Sequence, residues 1–222
     1  MTEHHHDHQA QGGQPDQGPA AFWDQRYGEK DQLWSGEPNH SLVQAVSGLT
    51  PGKALDLGCG EGGDSVWLAR QGWAVTGVDV SATAVSRARA RAAAHGVPEH
   101  AVNWVVQDLA HWEPAESYDL VSACFLHSPV ELPRAGVLRR AAAAVAKGGH
   151  MLVVGHAEPP PWARDLQHAD HHFDDPDQEL AELGLDATAW QAVLAQLNER
   201  PGRSPDGEPA TLRDSVLLLQ RR

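Results

Sequence analysis

The run Ala54-Leu55-Asp56-Leu57-Gly58-Cys59-Gly60-Glu61-Gly62-Gly63-Asp64 constrains this chain more than any other segment. A short apolar stretch stops at a cluster of glycines, and an amphipathic segment follows, which predicts a strand, a tight turn and a helix start. Glycine at 58, 60 and 63 lets the backbone approach a ligand with no Cβ in the way. The amides at the start of the following helix then face whatever sits there. Some twenty residues on, Val75-Thr76-Gly77-Val78-Asp79-Val80 reads as a second strand ending in an acid, and a carboxylate placed there accepts both hydroxyls of a ribose. The pattern points to a nucleoside-containing ligand.

Two ligand classes fit this spacing. Gly58-x-Gly60-x-x-Gly63 matches the dinucleotide fingerprint. Asp56, two residues before the first glycine, separates the classes. A carboxylate at the mouth of the loop repels a pyrophosphate and attracts the sulfonium and ammonium of S-adenosylmethionine.

On these residues the chain resembles the class I S-adenosylmethionine-dependent methyltransferases. The loop from Asp56 to Gly60 looks like their glycine loop, and Asp79, followed by Val80, like their ribose acid. Asp108 resembles their adenine-side acid, with Leu109 packing beside the base. The stretch from Tyr118 to Phe125 resembles their fourth strand, which brings Cys124 to the donor's edge of the sheet. Gly58, Cys59 and Gly60 are the expected loop contacts. A looser likeness joins Phe22-Trp23-Asp24-Gln25-Arg26-Tyr27 and Trp34-Ser35-Gly36 to the entry segment of the tellurite-resistance, thiopurine and methyl-halide methyltransferases. It implies a small, soft acceptor such as a thiol or chalcogenide. Trp23, Tyr27 and Trp34 then form a lid whose aromatic faces attract the sulfonium, or serve only as core anchors.

The rest of the chain reads as alternating strand and helix. Strands are expected at 53–58, 74–80, 101–107, 118–125 and 150–155. Helices are expected at 63–71, from the N-cap Ser81 to His95, and at 133–147, where Gly148-Gly149 reads as a helix stop. A short helix, 176–183, is capped by Asp174 or Asp175. Segments 190–199 and 210–220 flank a Gly/Pro turn and read as a hairpin. The expected fold is α/β: a Rossmann-like, doubly wound, mostly parallel seven-stranded sheet closed by a C-terminal antiparallel hairpin. Residues 1–20, rich in His, Gln and Gly, are expected to be a disordered tail, and 21–222 the methyltransferase domain.

Thirty acidic against 17 basic residues give a net charge of −13. This argues against a nucleic-acid partner, because duplex binding depends on clustered Lys and Arg. Arg87, Arg89 and Arg91 read as a solvated helix face. Two cysteines make no disulfide framework, and no run is long enough to span a bilayer. A cytoplasmic enzyme, monomeric or homodimeric, acting on a small-molecule acceptor is the expectation. His127 and His156 follow strands four and five and are the candidate groups over the methyl. His168, His171 and His172 sit in a long loop, but methyl transfer needs no metal and no pair lies at i, i+4 within an expected helix. A metal-independent enzyme is therefore expected. Two alternatives stand beside this reading. One is an NAD(P)-dependent oxidoreductase, which Asp56, the segment before the glycine loop and the terminal hairpin weaken. The other is a methyltransferase-like metal-binding or sensing protein built on the His-rich tail and loop.

Overall fold

The computed structural model describes residues 18–163, 173 and 175–222. Most of the histidine-rich tail, together with His168, His171, His172 and Asp174, lies outside the described residues.

A seven-stranded sheet runs in the order β3-β2-β1-β4-β5-β7-β6. Its parallel part is β1 (Lys53–Leu57), β2 (Ala74–Asp79), β3 (Val102–Val106), β4 (Tyr118–Cys124) and β5 (Val145–His156). The antiparallel hairpin of β6 (Trp190–Arg203) and β7 (Pro209–Arg221) closes it. Alternate residues of each strand point to opposite faces, and here both faces are apolar. Leu55, Leu57, Val121, Met151, Val153, Leu217 and Leu219 belong to one core. Ala54, Leu120, Leu152, Val154, Val216 and Leu218 belong to the other. A sheet apolar on both sides must be covered on both sides. Helices α5 (Arg134–Ala143) and α6 (Pro176–Leu183) cover the first face through Val137, Leu138, Ala141 and Leu183. Helices α2 (His40–Val46), α3 (Gly63–Arg70) and α4 (Ala82–Ala94) cover the second through Leu42, Val46, Val66, Leu68 and Ala92.

Helix α1 (Pro19–Gly28) starts with Pro at its first position, where the missing N–H costs nothing. It takes in two residues that the sequence assigns to the tail. Ser81 caps α4 as expected, accepting from the Ala84 amide, and Asp175 caps α6, accepting from Asp177 and Gln178.

The end of α5 differs from expectation, and β6 runs on to Arg203 through Pro201 and Gly202, which the sequence assigns to the turn. Helix α5 ends at Ala143, and Gly148-Gly149 lies inside β5 rather than stopping the helix. The Tyr118 amide bonds to Ala144 O at 2.8 Å, so β4 captures the chain as the helix ends. The register with β4 then shifts between Tyr118 and Leu120. Gly149 passes so close to β4 that a Cβ would lie 2.9 Å from Asp119 O. The glycine pair is a strand irregularity with close backbone approach, which looks like a helix stop when seen in isolation. Pro201 is tolerated in β6 because that strand is at the edge.

Because the core strands are parallel, Gly58, Asp79, Cys124 and His156 all come to one edge of the sheet. The hairpin runs the other way, so its register sets Asp214 beside His156 at that same edge.

Candidate active site

The glycine loop is hooked onto its neighbouring strand. The amides of Gly58 and Cys59 both donate to Val78 O, at 2.8 and 3.0 Å, so the chain leaves β1 in a tight turn. Gly58 and Gly60 have φ of +69° and +51°, a region side chains avoid. A Cβ on Gly58 would meet Leu126 at 2.8 Å, and one on Gly60 would meet the Tyr27 hydroxyl at 3.0 Å. Asp79 closes β2 with 7% exposure. Its Oδ2 accepts the Gly60 amide at 2.8 Å and its Oδ1 the Ser81 amide at 2.9 Å. Burial pushes its carboxyl above the usual carboxylate range, against the pull of those amides.

A second group of acids lies behind the loop. Asp56 is 2% exposed and accepts from Ser65 Oγ at 2.6 Å and Ser122 Oγ at 3.2 Å. Burial, and then the neighbouring charge of Asp64, pushes its carboxyl up to about 7. Asp64 accepts the Asn39 amide at 2.5 Å, and burial raises it as well. The Cys124 thiol hydrogen-bonds Asp64 and is pushed well up by burial and by Asp64 and Asp56. Among the described residues neither Asp56 nor Asp64 has a cationic partner. A buried carboxylate such as Asp56 without a cation is costly, and a site that sets the half-buried Asp64 beside it suits a positively charged ligand.

The segment after α1 folds down onto the glycine loop. Tyr27 is buried at 3% exposure, with its hydroxyl accepting from Trp34 Nε1 at 3.1 Å. Burial, followed by the charge of Asp79, pushes this phenol up. Trp34 stays 54% exposed, so it tops the segment and does not join the core. Trp23 Nε1 donates to Ser128 Oγ at 3.2 Å, across to the loop after β4. Asp24 accepts from Ser81 Oγ at 2.6 Å and from the Thr83 amide at 3.0 Å, at the start of α4.

Sequence reasoning missed Asp24, Glu61, Arg87 and Arg91. Arg87 and Arg91 are four residues apart and so share one face of α4, while Arg89 is exposed. The expectation of a solvated face holds only for Arg89. Arg87 pairs with Glu61 at 2.9 Å, and Arg91 Nε donates to Glu61 O at 3.1 Å. The i, i+4 spacing was the signal available.

On the other side of the edge, Phe125 has φ +53°, an outlier for a bulky residue. Strain of this kind collects at functional sites. The turn stacks its ring on His156, centroids 4.3 Å apart at 28°, with the Arg200 guanidinium 5.5 Å from the ring centre. Arg200 Nε reaches both oxygens of the fully buried Asp214, at 3.0 and 2.9 Å, and Ser41 Oγ adds a third bond at 3.0 Å. His127 is half-buried, and its amide bonds to Phe125 O at 2.8 Å. Both candidate histidines thus adjoin Phe125.

Residues 54–149 match a family described as a methyltransferase domain. That stretch, which carries the glycine loop, Asp79, Asp108 and Cys124, is a methyltransferase domain. It is 52% identical over 59 residues to ribosomal RNA small subunit methyltransferase C of Alcanivorax borkumensis, covering 25% of this chain and 18% of that protein. It is 36% identical over 111 residues to the ubiquinone biosynthesis O-methyltransferase of Cronobacter sakazakii, covering 50% and 45%. The chain spans about half the length, or less, of these curated relatives. Among solved structures, one from work on conversion of a disulfide bond into a thioacetal group during echinomycin biosynthesis superposes with a TM-score of 0.66, at 26% identity over 91% of this chain and 92% of that one. TehB from Haemophilus influenzae has the same fold, with a TM-score of 0.63 at 18% identity, covering 91% and 67%.

Within the methyltransferase fold, Asp56, Gly58, Gly60, Asp79 and Cys124 lie at the same end of the parallel strands. Cys59 is buried with its sulfur toward Gly60 O. Val80 is half-buried between Asp79 and Ser81. Asp108 accepts the Ala110 amide at 2.8 Å and lies 3.4 Å from His111 Nδ1. Leu109 is buried in the core that also holds Leu57 and Val78. No described helix is long and apolar enough to cross a membrane, and no three described His, Cys, Asp or Glu side chains converge as a metal cluster.

Proposed function

We propose that this chain transfers the sulfonium methyl of S-adenosylmethionine to a small-molecule nucleophile, a thiol or chalcogenide, by in-line displacement. We place it in the cytoplasm, as a monomer or homodimer. The observation that carries the reading is the pair Asp56, buried, and Asp64, half-buried, which have no cationic partner among the described residues and lie beside a glycine loop that a Cβ would obstruct. That donor set fits a ligand carrying a sulfonium and an ammonium. It does not fit a pyrophosphate, so the oxidoreductase alternative is not favoured.

When bound, the sulfonium supplies a methyl group that is already activated. The chain therefore needs mainly to position the reactants and exclude water. The open backbone at Gly58 and Gly60 admits the donor. Asp79, whose two oxygens keep free lone pairs beyond the amides they accept, takes the ribose hydroxyls. Asp108 and Leu109 face the base. Tyr27 and Trp34 shield the site. Phe125, His127 and His156 shape the acceptor's approach, and a neutral imidazole there accepts the proton that the nucleophile gives up. A sulfur acceptor suits this site, because a thiol is acidic enough that an imidazole suffices to take its proton. The sulfur chemistry named for the echinomycin-pathway structure, similar over nearly its whole length, supports the same choice.

Calorimetric titration with S-adenosylhomocysteine and with NADH, followed by a mass-spectrometric screen of thiol, selenide, amine, phenol and carboxylate acceptors, tests the reading. Binding of NADH alone would overturn the donor assignment, and methylation confined to oxygen or nitrogen would overturn the acceptor class.

A further inference from the structure

We propose that Glu61 is a positioning residue that latches the entry segment, residues 29–38, to the glycine loop, so that donor seating and lid closure are one event. This rests on the methyl-donor reading. Glu61 lies inside the glycine loop and is 3% exposed. Its Oε1 accepts from the Leu33 amide at 3.2 Å and from Arg87 Nη1 at 2.9 Å. Its Oε2 accepts from the Leu33 and Trp34 amides at 3.0 Å each. One carboxylate thus fixes the backbone immediately before the lid tryptophan.

Arg87 and Arg91 complete the latch. Arg87 Nη2 donates to Lys30 O at 2.8 Å, and Arg91 Nη1 to Gly36 O at 3.3 Å. The segment lies against the loop closely enough that a Cβ on Gly63 would meet Glu37 O at 2.8 Å. The preceding residue, Gly60, is held by Asp79, and a Cβ there would lie 3.0 Å from the Tyr27 hydroxyl. Glu61 is therefore one peptide bond from the donor's seat and one hydrogen bond from its cover. A shift of the loop turns the carboxylate, and charge-assisted bonds to amides are directional enough to carry the segment with it.

Glu61→Gln is the test, because either orientation of the amide sets an NH2 group against a donor: Arg87 and Leu33 on one side, Leu33 and Trp34 on the other. Stopped-flow release of S-adenosylhomocysteine is expected to quicken by about tenfold to hundredfold, the worth of hydrogen bonds to a charged group. Amide exchange across residues 29–38 is expected to lose protection in the free protein, with the melting temperature close to wild type. Arg87→Gln should give a smaller effect of the same kind, and the double variant should be no worse than Glu61→Gln alone. Unchanged release and exchange in Glu61→Gln would overturn the latch, as would additive effects in the double variant. Should Glu61→Gln not fold, Arg87→Gln carries the same two readouts. A wild type that fails to bind S-adenosylhomocysteine would instead sink the donor reading, while exchange across residues 29–38 in the free variants would still decide whether the latch exists.

Discussion

The Gly60 amide donates to Asp79 Oδ2 at 2.8 Å, so the tip of the loop after β1 is tied to the last residue of β2. The proposed ribose acid therefore also sets the loop that receives the rest of the donor. Asp79→Ala removes both functions. Donor-product affinity is expected to drop by about 1.5–3 kcal/mol from the lost charged hydrogen bonds, and by more if the loop relaxes. Calorimetry with S-adenosylhomocysteine checks this, and wild-type affinity in a folded variant would refute the assignment.

Gly60→Val tests the backbone approach directly. A β-branched residue is a poor fit at φ +51°, and its Cβ would press on the Tyr27 hydroxyl. Donor binding is expected to vanish while far-UV circular dichroism stays native. Retained binding would place the ligand elsewhere.

Asp56 makes donor affinity depend on pH. Its folded carboxyl is pushed up to about 7, and a cationic donor prefers the ionised form. Affinity should hold above about 7 and fall by up to about tenfold per unit as pH drops below it. The stability sign is opposite. A raised acid costs stability once ionised, so the penalty is full above about 7 and fades as pH falls toward the unfolded value of 3.8. Asp56→Asn should flatten the binding profile and raise the melting temperature in mildly alkaline buffer. A profile in Asp56→Asn identical to wild type would remove Asp56 from donor binding.

Arg200 neutralises Asp214, which is fully buried. Among the described residues Arg200→Ala leaves that charge with the Ser41 hydroxyl and no cation, and it should cost about 3–5 kcal/mol in urea unfolding. Adding Asp214→Leu should recover most of the loss. Failure to recover it would mean that Arg200 acts through its packing on Phe125.

The histidines divide the chemistry from the positioning. His127→Ala or His156→Ala is expected to lower turnover about 10²–10⁴-fold if its imidazole takes the acceptor's proton, and to spare S-adenosylhomocysteine binding. Turnover should survive chelation and dialysis. Loss with EDTA that a divalent ion restores would overturn the metal-free expectation. Full activity in both variants would leave positioning as the whole mechanism.

What could be read from the sequence was local. The glycine loop, Asp79 at a strand end and the Ser81 cap each depend on neighbours a few residues away, because turn geometry and helix caps are set by adjacent backbone. The sheet's two apolar faces were equally legible in strands rich in Val and Leu. Gly148-Gly149 misled, since its meaning depended on β4 lying alongside to capture the chain. Other features were decided only by the tertiary structure. Glu61 meets Leu33 and Arg87, and Asp214 meets Ser41 across 173 residues. Such partners are chosen by which strand lies next to which and by the hairpin's reversed direction, not by spacing along the chain. A carboxylate's role is set by who reaches it once water has been excluded, and that is a property of the packed fold.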